Sequence, residues 1–534
     1  MRPLRFALLV ALALGAGSQA RAATAEPALQ QPELEPGASD AALRRALTAI
    51  EARSVRGDVD FLASDVLAGR GTPSPEQRIA SLYLRARFER FGLVPGARGG
   101  EWFAEVAIER RSLDLDASRL MLVTPGGGLV WHFGDDYVLA SFAQLFERDA
   151  SGPIVCAGDG RGELPAEVRG RWVLVLDSGR VPRDLDDRLL EAGATGMILA
   201  PGPDYDRAPY AERFSGTVRA LREGGMSRLE AASDPEPPQA DSVLGQVLLS
   251  ARALAQLVDV AFPGRILAER SLELGEELPV LLRERRVPKL ERIAVRNVCA
   301  WWPGSDPELA REALVVSAHY DHLGRRGGEI YPGADDNASG TAGLLALAEA
   351  LAAHGPFERS ILLLGCSAEE NGLWGSQAWC EDPWLPNGAV PVANLNLDMI
   401  GRTAPDELYV TPSRALPEFN VVAERCYELA HAEGFAELRE QDQYWRASDH
   451  YSFAKLLRLP VAYLSSGDHA EYHKPTDVAA LIDADKIART ARLVVRVIDA
   501  LQAPDALAKP GLREPADAED TAPDPAEPVG AGAK

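Results

Sequence analysis

The sequence predicts an α/β protein: a mostly parallel twisted sheet with helices on both faces, interrupted by a smaller inserted α/β unit. Two observations predict the main body. From Val287 onward, the apolar runs Ala313-LVVSA, Ser360-ILLLGCS, Val392-ANLNLD and Pro460-VAYLS alternate with helical stretches such as Ala342 to Ala353 and Asn420 to Ala432. Continuous apolar runs, rather than polar alternation, mark strands buried on both faces of a sheet. A third observation predicts the insert. Between about residues 120 and 275 the texture changes to short strands and glycine turns, and Arg171-WVLVLDSG followed by Arg188-LLEAGATGMILAPG reads as a strand, a helix ended by Gly193, and a second strand.

The remaining segments follow in chain order. Arg2 and Arg5 precede the apolar run Phe6 to Leu14, and Ala20-Arg21-Ala22 follows, the pattern of a secretory signal peptide over residues 1–22 cleaved after Ala22. A Pro/Glu-rich linker occupies residues 23–40. Apolar residues at three- and four-residue steps predict helices from Ala41 to Ser54 and from Glu76 to Phe91. These begin a discontinuous domain, 41–120 and 276–505, around the insert 121–275. The Ala/Pro/Asp-rich end, 506–534, is expected to be disordered.

At 534 residues and 46% hydrophobic content the chain can bury a sizeable core. Its formal net charge of −23 argues against nucleic acid or anionic membrane surfaces as partners, because like charges repel. After the signal segment no stretch is long and apolar enough to insert in a bilayer, so an exported, secreted or periplasmic product is expected. Five scattered cysteines do not make a disulfide scaffold, although Cys366 with Cys380 is a candidate pair.

The chemistry concentrates in Ser317 to Gly340, SAHYDHLGRRGGEIYPGADDNASG, and Cys366 to Gln377, CSAEENGLWGSQ. His319, Asp321, Asp335, Asp336, Glu369 and Glu370 mix hard oxygen donors with imidazole, a set that suits divalent zinc and a metal-dependent hydrolase. Ligands of open parallel sheets belong at the carboxyl ends of the strands. His319 follows LVVSA, Glu369 and Glu370 follow ILLLGCSA, Asp398 follows VANLNL, His473 follows VAYLSSGDHAEY, and Asp335 lies in a loop leading to a helix. Solvated loop acids or helix caps account for one of these singly but not for all five positions at one sheet edge.

The segments HYDHLG, GADDNASG, AEENGLWGSQ, NLDMIG and YHKPTDV resemble, in order, the motif series of the di-zinc aminopeptidase family, metallopeptidase family 28. The resemblance implies two Zn²⁺, with His319 and Asp398 on one, Glu370 and His473 on the other, and Asp335 bridging both. It also implies Glu369 as general base and Asp321 as the acid that fixes the His319 tautomer. Three carboxylates against two zinc ions leave one positive charge for a bridging hydroxide to neutralise, which is consistent with that set. Asp336 then reads as a hydrogen-bonding neighbour, and His469, i, i+4 from His473, as a residue outside the metal set. Tyr444, Ser448, Met399 and Tyr472 are candidate substrate-binding residues. The segment Phe61-LASDVLAGRG also resembles a recurrent motif of the family, with no role for Arg70 derivable from its chemistry. The insert resembles a protease-associated domain. The implied function is hydrolysis of the N-terminal peptide bond of peptides with a free N-terminus. Rivals are a glutaminyl cyclase-like acyltransferase, a glutamate-releasing carboxypeptidase, which would need a basic pocket for which Arg446 is the obvious residue, and an inactive receptor-like binding protein.

Overall fold

The computed structural model describes residues 38–229, 243–264 and 272–507. The expected signal peptide, most of the linker and nearly all of the C-terminal tail lie outside the described residues. Among those described, no helix is long and apolar enough to cross a membrane.

Among the described residues the main sheet has ten strands. Its central order is 407–411, 461–465, 390–397, 312–319, 360–366, 288–302, 103–113. The four strands Glu312–His319, Ser360–Cys366, Val390–Leu397 and Val461–Ser465 are mutually parallel, so their carboxyl ends share one edge. Each is mostly apolar and buried along its length, apart from the outer start of Val390–Leu397, as the apolar runs predict. Helix Gly340–His354 and helix Ala484–Ala500 pack into the largest apolar cluster, where Leu344, Leu347, Ile487, Val494 and Ile498 are buried against Leu314, Val316, Leu363 and Leu395. Burial of such side chains stabilises by about 1.5–3 kcal/mol each.

The N-terminal pattern expected as one helix from Ala41 to Ser54 is two helices, Ala38–Ala49 and Ala52–Leu62. The second is rotated away at Glu51, whose backbone is extended (φ −107°, ψ 131°), while Ile50 stays buried. The helix expected at Glu76 to Phe91 spans Pro75–Arg90, with Ser74 accepting from the Gln77 N–H and proline at its first position, where the missing donor costs nothing.

A second, eight-stranded sheet is built from strands between Arg119 and Arg286 and has its own apolar core around Trp172, Ile198, Leu254 and Leu282. Its parallel centre is Arg148–Cys156, Trp172–Asp177, Gly196–Pro201 and Gly245–Leu249. Two features depart from the expected joints at 121 and 275. Glu277–Arg286 belongs to this second sheet, pairing with both Arg119–Thr124 and Arg148–Cys156. Conversely, Gly225–Arg228, within the insert, adds an edge strand to the main sheet beside Phe103–Leu113. Arg228 is fixed there by a two-pronged ion pair to Glu381, with both contacts at 2.6 Å. The expected Cys366–Cys380 disulfide is absent, and all five cysteines are buried free thiols.

Candidate metal centre

Every strand end on the carboxyl edge delivers a polar side chain to one pocket. His319 is the last residue of its strand, Asp398 follows the end of Val390–Leu397, and Glu369 and Glu370 lie in the turn after Ser360–Cys366. His473 comes from the turn beyond Val461–Ser465. Asp336 lies in the one-turn segment that enters helix Gly340–His354.

Around His319 the Asp321 backbone carbonyl lies 3.2 Å from Nδ1 and accepts its proton, so Nε2 is the nitrogen turned to the pocket. That Nε2 faces Asp398 Oδ1 at 3.2 Å, Asp336 Oδ1 at 3.4 Å and Glu369 Oε2 at 3.9 Å. On the other side, His473 Nε2 lies 3.1 Å from Asp336 Oδ2 and 3.5 Å from Glu370 Oε2. The two oxygens of Asp336 therefore face two separate groups of donors.

This geometry differs from the expectation for Asp335. The Asp335 carboxylate points away from the pocket, accepting from the Gly401 N–H at 2.7 Å and lying 3.3 Å from His469 Nε2. The reason is the backbone at Asp336, which is extended (φ −101°, ψ 96°), so that successive side chains leave on opposite sides. Asp477 holds this arrangement by accepting the N–H groups of both Asp335 and Asp336. Asp336, read from sequence as a neighbour, is the acid the structure puts between the two groups.

Asp321 also acts differently from the expectation. Its carboxylate is 3.9 Å from His319 Nδ1, farther than its own carbonyl. The carboxylate instead accepts from the Glu369 N–H at 3.2 Å and the Thr72 hydroxyl at 3.0 Å, so it fixes the turn that presents Glu369. Gln77 donates to Thr72 and to Ser367, completing that support from the N-terminal segment.

Two residues escaped sequence reasoning. His322, three residues after His319, is fully buried with Nδ1 2.7 Å from Glu370 Oε1. Burial pushes its pKa down to about 4, so the ring is neutral. Its signal was the second histidine of HYDHLG, which spacing alone does not distinguish from a packing residue. Arg70 is also fully buried; its guanidinium donates to the carbonyls of Tyr320 (2.9 Å), Pro332 (2.8 Å), Gly333 (2.9 Å) and Leu62. It thereby ties the loop after His319 to the loop before Asp336. Arg70→Met leaves four buried carbonyls without a donor and should destabilise the protein by about 3–5 kcal/mol, read as a lowered denaturant midpoint.

The expected substrate residues separate. Ser448 is fully buried and donates to Asp398 Oδ2 at 2.7 Å while accepting from Asn396, so it orients a carboxylate and is out of reach of a peptide. Met399 is buried. Tyr444 donates its hydroxyl to Asp468, which pushes its pKa up to about 12. Tyr472 is 41% exposed and stacks on His473 with ring centroids 3.9 Å apart, so these two rings border the open side of the pocket.

The pocket is short of positive charge. Asp336, Glu369, Glu370 and Asp398 lie close together with side chains no more than 11% exposed, and their ion-pair contacts among the described residues are imidazoles. Burial, reinforced by neighbouring carboxylates, drives Glu369 and Glu370 well above the usual carboxylate range. Burial opposes charge on His319 as well, yet Asp398 and Glu369 raise it well above an ordinary histidine. Two donor sets have the composition and closeness to hold cations: His319, Asp336 and Asp398, and His322, Asp336 and Glu370.

The carboxylates and imidazoles converge at the carboxyl edge of the parallel strands, where open α/β sheets hold their ligands. Residues 297–498 match the model of Peptidase family M28. Over 194 residues it is 28% identical to Aminopeptidase YwaD of Bacillus subtilis (strain 168), covering 35% of this chain and 40% of that protein. Over 123 residues it is 37% identical to a probable zinc metalloprotease of Pyrenophora tritici-repentis, covering 21% of this chain and 23% of that one. The chain thus spans less than half the length of these two curated relatives. The solved aminopeptidase of Aneurinibacillus sp. strain AM-1 aligns over 86% of this chain and 96% of its own, at 17% identity and a TM-score of 0.45.

Proposed function

We propose that the protein is a secreted zinc-dependent aminopeptidase that removes the N-terminal residue of peptides. The observation that carries this reading is Asp336 facing His319 with one oxygen and His473 with the other, with Asp398 and Glu369 also turned to the His319 nitrogen, in a segment that matches the family M28 model. The match to the family model and the names of the relatives support peptide hydrolysis and zinc; export rests on the signal pattern of residues 1–22.

His319, Asp398 and Asp336 would hold one zinc, and Glu370, His473 and Asp336 a second. Bound zinc supplies a polarised carbonyl and a water acidic enough to ionise near neutral pH. Glu369 does the proton work: its carboxylate takes a proton from the attacking water and delivers it to the leaving amine. Asp321, through the Glu369 N–H, and Ser448, through Asp398, hold the reacting groups in place. Two zinc ions and a hydroxide would balance Asp336, Glu370 and Asp398, so the carboxylate left to attract the free α-ammonium of a peptide is Glu369. Tyr472 and His473 form the wall against which its first side chain lies. The sheet spanning 119–286 is proposed to act as a protease-associated unit that limits which peptides reach this opening.

The test is mass-spectrometric release of the first residue from matched peptides with free and acetylated N-termini. Free peptides should lose one residue at a time, acetylated ones should persist, and a strong chelator should abolish cleavage until Zn²⁺ is restored. Cleavage of the acetylated peptide, or ammonia release from N-terminal glutamine, would overturn the aminopeptidase reading.

A further inference from the structure

His322 is the most informative residue that the function above leaves unused. Its side chain is fully buried, and neither ring nitrogen has a hydrogen-bond partner. Its slot is close-fitting: Gly333, at φ 59°, lies against the ring, and a Cβ there would collide with the imidazole and with the Asp336 carbonyl. A buried polar ring with no partner is costly, commonly about 1–3 kcal/mol, and the ring cannot turn away to find one.

The nitrogen Nδ1 lies 2.7 Å from Glu370 Oε1 and 3.6 Å from Asp336 Oδ2. The first contact is short, yet the two atoms form no hydrogen bond, and Glu370 Oε1 also lacks one. Glu370 presents its other oxygen to His473, 3.5 Å from Nε2, and Asp336 Oδ2 lies 3.1 Å from that same nitrogen. The His322 and His473 rings meet edge to face with centroids 5.8 Å apart. His322, Asp336 and Glu370 thus bring donor atoms within 4.8 Å of one another, and His473 borders the same two carboxylates. Donors sharing a tetrahedral ion at about 2.1 Å stand roughly 3.4 Å apart, which is the scale of three of these four contacts.

We propose that His322 is a fourth protein donor, through Nδ1, to the cation position bounded by Asp336, Glu370 and His473. This inference rests on the reading of the pocket as a metal centre and deepens it. The two positions then differ in kind. The one beside His319 has three protein donors, His319, Asp336 and Asp398, and keeps an open place next to Glu369. The one beside His322 has two imidazoles and two carboxylates, four protein donors and so no open place, whereas three protein donors and an open place mark catalytic zinc. One ion is retained tightly and organises the site, while the other exchanges and faces the substrate.

The test uses full-length protein, demetallated and then titrated with Zn²⁺ alone by calorimetry. Wild-type should take two equivalents in two distinguishable steps, the tighter lost last on chelation. Loss of a residue that only supports a ligand typically weakens metal binding about 10- to 100-fold, so His322→Ala should weaken the tight step by more than that while changing the other less than tenfold. Apo-state thermal unfolding of the variant checks that it folds. A second measurement avoids variants altogether: in ¹⁵N-histidine-labelled wild-type, with eight histidines in the chain, zinc should shift three imidazoles into the metal-bound range, with Nδ1 the affected nitrogen in one. Two equivalents with only two shifted imidazoles, or a His322→Ala tight step weakened 100-fold or less, overturns the role of His322 and leaves the metal centre standing. No zinc binding by wild-type overturns both.

Discussion

Glu369→Gln is expected to lower kcat by at least about 10²- to 10⁴-fold, the usual worth of general acid and base catalysis, while leaving zinc content at the wild-type level. The substitution preserves the size of the side chain and its capacity to hydrogen-bond but removes the proton acceptor. Glu369 Oε2 is 3.9 Å from His319 Nε2, farther than either Asp398 or Asp336, and its backbone N–H is tied to Asp321. It therefore borders the cluster without belonging to either donor set. KM should change little. The adjacent Glu370→Ala should behave oppositely, losing metal and activity together, because that carboxylate lies between two imidazoles. Zinc content by plasma emission spectrometry alongside kcat separates the pair. A Glu369→Gln protein that loses zinc, or turns over normally, would move the base elsewhere.

Asp336→Ala should abolish stoichiometric zinc binding at both positions and lower kcat/KM by more than the roughly 100-fold that loss of a ligand's support costs. It is the single carboxylate shared by the two donor sets, so its removal strips one donor from each and leaves the imidazoles of His319 and His473 without their common counter-charge. Asp335→Asn should behave mildly. Its carbonyl oxygen can still accept from the Gly401 N–H, the contact that holds Asp335 in place, and its side chain points toward His469. Zinc content should remain at wild-type level, with kcat/KM within about tenfold, since at most a supporting contact is lost. Reversed behaviour of the two aspartates would mean that the loop adopts the other parity around its metal.

The contrast between these neighbours shows what the sequence could and could not convey. Unbroken apolar runs located the four central strands, and a polar residue following such a run must emerge at the sheet edge. His319, Glu369, Glu370, Asp398 and His473 were legible for that reason, and the structure gathers all five. Asp335 and Asp336 were not separable, because adjacency fixes position to one residue whereas orientation depends on a local backbone twist held by Asp477, 141 residues away. Arg70 was opaque for a related reason: its partners are carbonyls of Leu62, at the end of the preceding helix, and of two distant loops, and carbonyl acceptors leave no residue signature. Ser448 looked like a site-lining hydroxyl, but it is buried beneath Asp398. The joints of the insert were misplaced at the level of pairing, since Glu277–Arg286 alternates buried and exposed residues as a strand of either sheet would. Only its partners, Arg119–Thr124 and Arg148–Cys156, assign it to the second.

Crystals of the zinc-loaded full-length protein, measured on both sides of the zinc absorption edge, test the central claim most directly. Two anomalous peaks should lie on either side of the Asp336 carboxylate, one touching His319 and Asp398, the other Glu370 and His473. A peak beside Asp335 and His469, or a single peak that Asp336 does not contact, would contradict the account.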